Sequence, residues 1–95
     1  MQIVDIIWLP QVLDKLDWKH HVTSVEVEEV LFDSPIYRKV QKGHIPGENL
    51  YAELGQTHAG RYLIVFFIYK IGREALILSA CDMNNKERRQ YERKK

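Results

Sequence analysis

Arg61-Tyr62-Leu63-Ile64-Val65-Phe66-Phe67-Ile68-Tyr69 is aromatic or aliphatic at every position after the first. A strand buried on one face alternates polar and apolar residues. This one is apolar on both faces and rich in aromatic and β-branched residues, so it predicts a central strand covered on both sides. Lys70 to Arg73 turns the chain back through Gly72, and Glu74 to Cys81 reads as a second buried strand. On the other side, Leu50 to Gln56 alternates, with Leu50, Ala52 and Leu54 on one face, and Thr57 to Gly60 is a turn. Ile36 to Val40 is a short strand, and Lys42 to Asn49, with two glycines and Pro46, is a loop. Connections this short cannot carry parallel crossovers, so the sheet is expected to be antiparallel.

Helices flank these strands. Met1 to Trp8 reads as a short strand or extended packing segment. Pro10 suits a first helical turn, and Leu9, Val12, Leu13 and Leu16 recur at helical spacing up to about His20. Thr23 and Glu26 form a T-x-x-E capping box, with Val22 and Val27 placed as a hydrophobic staple. Val27, Val30 and Leu31 give that second helix its buried stripe, and Ser34-Pro35 stops it. Asn84 and Glu87 repeat the capping logic for a last helix from Asn85 to about Arg93. The predicted order is (β)ααββββα. It forms an α+β domain spanning residues 1–95, with the helices on one face of an antiparallel sheet.

Composition narrows the classes. The hydrophobic fraction is 45% and the charged fraction 28%, which describes a globular chain rather than a disordered one. The single cysteine, Cys81, excludes an internal disulfide and fits a reducing, cytoplasmic setting. Met1 to Leu9 lacks the basic start and cleavage site of a signal peptide. The apolar run from Tyr62 to Tyr69 is too short to span a bilayer, so no membrane is expected.

The net charge of +1 conceals an asymmetry. From Asp14 to Asp33 the balance is −4, from Arg38 to Arg73 it is +4, and from Lys86 to Lys95 it is again +4. Such a dipolar domain can meet a phosphate backbone on one side and a basic partner on the other, although a solvated surface accounts for the charges equally well.

No P-loop, dinucleotide glycine pattern or zincin motif is present, and His20, His21, His44, His58 and Cys81 show no metal-ligand spacing. The basic last helix is more informative. It places Arg88 beside Tyr91 and Arg89 beside Arg93, and guanidinium forks with an aromatic ring suit phosphates and unstacked bases. The same cations would also complement a helix dipole. Lys19-His20-His21 closes the first helix, where a histidine can move protons or serve the dipole. Arg61 opens the central strand, positioned to pair with a carboxylate such as Glu53 or to stabilise charge on a phosphorane.

Taken in order, the landmarks are Trp8, Lys19-His20-His21-Val22, Glu26 to Phe32 with Asp33 and Pro35, Leu54-Gly55 and Gly60 to Val65. Ile77-Leu78-Ser79-Ala80-Cys81 and Glu87-Arg88-Arg89-Gln90-Tyr91 follow. This succession resembles the BrnT family of bacterial toxins, RelE-like ribonucleases of type II toxin–antitoxin systems. It departs from that family's pattern at His21, where a glycine is expected, and at Cys81, where an arginine is expected. The resemblance implies a compact α+β toxin fold that cleaves RNA without metal or cofactor. It also implies neutralisation by a ribbon-helix-helix antitoxin, operator DNA being contacted only through that complex; a homodimer is the other way to cover the exposed surface.

The implied chemistry is attack of a ribose 2′-hydroxyl on the adjacent phosphate. It needs a base, a cation on the non-bridging oxygens and an acid for the leaving oxygen. The resemblance assigns proton transfer to Lys19 or His20 and phosphate contact to Arg61 and Arg88. Tyr91 would stack on substrate beside Arg89. Arg73 stands in the turn before the last strand as a replacement for the cation absent at Cys81. The alternative is a toxin-fold module that binds RNA or an antitoxin-like partner but no longer cleaves.

Overall fold

The computed structural model describes residues 1–33, 36–41 and 46–94, with Lys39 and Gln41 described in backbone only. The Ser34-Pro35 stop and residues 42–45 of the predicted Lys42 to Asn49 loop, His44 among them, lie outside the described residues. Strand β1 (Asp5–Ile7) leads into α1 (Pro10–Lys15), which continues as a wider π-helical stretch over Leu16–His20. Then follow α2 (Ser24–Phe32), β2 (Ile36–Gln41), β3 (Asn49–Gln56), β4 (Tyr62–Tyr69), β5 (Glu74–Asp82) and α3 (Asn85–Lys94). The strands form one sheet in the order β1-β5-β4-β3-β2. This is a mixed α+β fold with a radius of gyration of 12.6 Å, close to the roughly 12 Å of a single compact body of this length.

Two expectations are corrected. The sheet is not wholly antiparallel: β2 to β5 form an antiparallel meander, but β1 pairs parallel with β5, with Ile6 opposite Ala75. A parallel pair requires a long crossover, and everything from α1 to β4 supplies it. Nor do the helices share one face. Leu63, Val65 and Phe67 of β4 face a core built with Leu16, Val22, Val27, Val30 and Leu31 of the N-terminal helices. Ile64 of β4 faces the other way, into a smaller core with Ala52, Leu54, Met83 and Tyr91 of α3, where Tyr62 and Phe66 join it. β4 is apolar on both faces because it is covered on both.

Local chemistry sets the helix ends. Thr23 and Glu26 make the predicted reciprocal box: the Glu26 N–H donates to Thr23 Oγ1 at 3.2 Å and the Thr23 N–H to Glu26 Oε1 at 3.0 Å. Asn84 and Glu87 do the same for α3, both at 2.8 Å. The π-helical stretch ends at His21, a non-glycine residue with φ 51° and ψ 43°. In the turn before β5 the left-handed residue is Arg73 (φ 69°), not Gly72. α2 lies close on β3 because Gly55 has no side chain: a Cβ there would stand 2.9 Å from Val30 Cγ1.

One irregularity matters for the site. Opposite Phe66 and Phe67 the register of β5 slips, with Ser79 facing Phe66 and Ile77 facing Phe67. Leu78 is the extra residue of a bulge. The slip puts Ile77 and Ala80 together on the N-terminal helices' side, and it turns Cys81 toward α3.

Candidate functional site

The end of the sheet where β4 begins and β5 finishes gathers most of the chemistry-bearing side chains, on its two faces. On the side of the N-terminal helices, Arg61 is the hub. Its Nε donates to Asp82 Oδ1 at 2.8 Å and its Nη2 to Asp82 Oδ2 at 3.3 Å, a bidentate pair. The same guanidinium donates to the backbone carbonyls of His20 (Nη2, 3.1 Å) and His21 (Nη1, 2.7 Å), and Nη1 also reaches both carboxyl oxygens of Glu26 at 3.3 Å. A guanidinium has five N–H donors, and these acceptors are enough to engage all of them. Arg61 therefore joins the end of the π-helical stretch, the α2 cap and the end of β5.

The carboxylates that hold Arg61 are Glu26 and Asp82, not the Glu53 expected from sequence. Hydrogen bonding and charge from Arg61 hold the Asp82 carboxyl below its ordinary range, and the hydrogen bond to Asp82 raises Arg61. His20 adds to the pull on Asp82, so the histidine stands on this side with Arg61. Lys19 is exposed on the same π-helical stretch.

On the opposite face, α3 and Tyr62 frame an open groove of about 570 Å³ lined by Tyr62, Asn85, Arg88, Arg89, Glu92 and Arg93. The Arg88 guanidinium carbon lies 4.1 Å from the centroid of the Tyr62 ring. This is a cation–π contact of about 0.5–1 kcal/mol at an exposed site. The Tyr62 hydroxyl donates to Glu92 Oε1, and the Tyr62 ring meets the Tyr91 ring edge-on with centroids 5.9 Å apart. Tyr91 itself is buried in the smaller core. The ring that opens into the groove is Tyr62, which the sequence reading missed. Its signal was available: it is the first residue of β4, on the face opposite Leu63, and the helix that packs on that face is basic.

Cys81 lies opposite Ile64, on the α3 face with Tyr62 and Phe66. Burial pushes its thiol upward, with the nearby Glu87 and Asp82 acting in the same direction, so it is neither a cation nor a ready thiolate. Arg73 lies at the far end of the sheet. Its Nη1 donates to Gln2 Oε1 at 2.9 Å, and its carbonyl accepts the Val4 N–H at 3.0 Å. The eight residues of β4 separate that turn from Arg61, a span of about 25 Å. Arg73 does not reach the position of Cys81.

The structure thus brings Lys19, His20 and Arg61 to one face and Arg88, Arg89 and Tyr91 to the other, with Arg73 apart. Among the described residues, no three of His, Cys, Asp and Glu converge to hold a metal ion. No helix among them is long and apolar enough to cross a membrane. The chain matches no protein-family model and no curated protein.

Proposed function

We propose that this chain binds single-stranded RNA in the groove between α3 and β4, and that it is an endoribonuclease of the RelE-like, BrnT toxin type. The observation that carries the RNA reading is the Arg88 guanidinium stacked on Tyr62 at 4.1 Å, beside Arg89 and Arg93. A planar cation on an aromatic ring gives an unstacked base a platform, and the flanking guanidinium forks give its phosphates donors. The cleavage reading rests on the ordered resemblance set out above. In it, the RNA strand passes from the α3 groove around the end of the sheet where β4 begins, His20 or Lys19 on the opposite face moves the proton, and the 2′-hydroxyl attacks the adjacent phosphate without metal. A ribbon-helix-helix antitoxin would neutralise the activity in the cytoplasm.

A second reading has its own observations. Arg61 is engaged by protein acceptors, and Cys81 supplies no charge where the resemblance expects an arginine. On that reading the chain grips RNA but does not cut it.

Incubating the full chain with end-labelled single-stranded RNA in the presence of a chelator separates the two. Fragments ending in a 2′,3′-cyclic phosphate, lost in His20→Ala, support the nuclease. Binding without fragments supports the module, and no binding to RNA removes both. Cys81→Arg adds a cation on the groove face, across the sheet from His20 and Lys19, so it should tighten RNA binding and steepen its salt dependence by about 0.7 in logarithmic slope rather than raise cleavage.

A further inference from the structure

We propose that the outward face of α2 docks a basic amphipathic helix from another protein. This surface lies on the other side of the sheet from the α3 groove, so the proposal stands or falls independently of the RNA reading.

The inward face of α2 is Val27, Val30 and Leu31, all buried. Its outward face should be polar, as on an ordinary surface helix. Instead Val25 is 57% exposed and Phe32 58% exposed. Val25, Glu28, Glu29 and Phe32 fall at i, i+3, i+4 and i+7, which is one continuous stripe. They line an open groove of about 470 Å³ together with Asp33 and His58.

The groove has a fixed wall. Glu29 accepts the His58 N–H at 3.0 Å, and its other oxygen lies 3.3 Å from His58 Nδ1, which pins the turn between β3 and β4 to α2. None of the ion pairs among the described residues involves Glu28 or Asp33. Two apolar side chains two helical turns apart, rimmed by acidic ones, complement a helix that offers large aliphatic residues on one stripe and lysine or arginine beside it.

A second copy of this chain fits less well. Its basic element is α3, whose one buried side chain, Tyr91, faces its own core and whose exposed residues are charged or polar. It offers charge without anything to cover Phe32. Because α2 and α3 lie on opposite faces of the sheet, such a contact would also run head to tail rather than close as a dimer.

The test is a titration of the ¹⁵N-labelled full chain with a synthetic basic helix of about four turns. The peptide carries leucines at i, i+3, i+4 and i+7 and lysine or arginine elsewhere. An isomer of equal composition, with its leucines spread around the helix, is the comparison. Expected are amide shifts confined to Val25 to Asp33 and His58, and affinity about tenfold tighter than for the isomer. Phe32→Ala and Glu28→Lys should each lose about that factor. If Phe32→Ala lowers the melting temperature, Val25→Ser carries the same comparison. Equal affinity for the isomer, or shifts that map to another surface, would overturn the proposal. So would sedimentation showing the free chain self-associated and Phe32→Ala monomeric, which would assign the face to a second copy.

Discussion

His21 holds a left-handed conformation that an L side chain adopts at a cost of about 1–2 kcal/mol, and it does so where the π-helical stretch must end so that its carbonyl can reach Arg61. His21→Gly keeps the carbonyl and removes the strain. Against that gain stands the greater freedom of glycine in the unfolded chain. The net expectation is about 0.5–1 kcal/mol of added stability, read as a higher urea midpoint with an unchanged slope. Glu53 is a second residue at odds with its surroundings. It is fully buried between Tyr37 and Val65 in the sheet register, its carboxyl oxygens make no close hydrogen bond, and burial, only partly offset by the nearby Tyr37 hydroxyl and the chain's amino terminus, pushes its pKa from 4.5 up to about 9. Between those values the folded chain keeps a proton that the unfolded chain has released. Stability therefore falls as pH rises through that window, by about 1.4 kcal/mol per unit from this group alone. In Glu53→Gln the slope above the unfolded pKa should flatten, measured by denaturant unfolding from pH 5 to 9. A slope unchanged by the substitution would show that Glu53 is not the group responsible.

At the scale of elements, the readable parts were those whose signals are local. Both capping boxes, the α2 stripe and the doubly apolar β4 follow from spacing along a few residues, and the elements they predict are present. What the sequence hid depends on register. Nothing in Ile77-Leu78-Ser79-Ala80 announces a bulge, yet the bulge decides that Cys81 faces α3 while Asp82 faces Arg61. Which face α3 would cover was equally illegible, because β4 offers an apolar surface on both sides. That ambiguity is why Tyr91 was read as the stacking ring and Tyr62 was missed. The groove between α3 and β4 makes a separable prediction. Arg89→Ala and Arg93→Ala should each lower the salt dependence of single-stranded RNA binding by about 0.7 in logarithmic slope. Tyr62→Leu should leave the slope alone and weaken binding by about 1–3 kcal/mol. Filter binding across a salt series distinguishes the two patterns, and a slope change in Tyr62→Leu would contradict the stacking role.

Across the whole molecule, Arg61 does most to connect distant parts of the chain, since its guanidinium ties residues 20, 21, 26 and 82 to the mouth of β4. Arg61→Lys retains the charge but not the fork. It should cost about 2 kcal/mol or more, because carbonyls and carboxylates lose their donors together. The same variant should flatten the acid limb of stability. The depressed Asp82 pKa contributes stability that is present above the unfolded value of 3.8 and is lost as pH falls through the folded one. Thermal melts from pH 2 to 6 read both effects. The parallel pairing of β1 with β5 has a further consequence, in time rather than in space. Among the strands of this sheet β1 leaves the ribosome first, and its partner β5 leaves last. The meander from β2 to β5 can zip from neighbour to neighbour and take α2 with it, whereas β1 and α1 with its π-helical continuation, which pack on β5, must wait for residues Glu74 to Asp82. During synthesis the apolar stripes of α1 and α2 are exposed before the strands that bury them exist, a nascent state that favours engagement by chaperones.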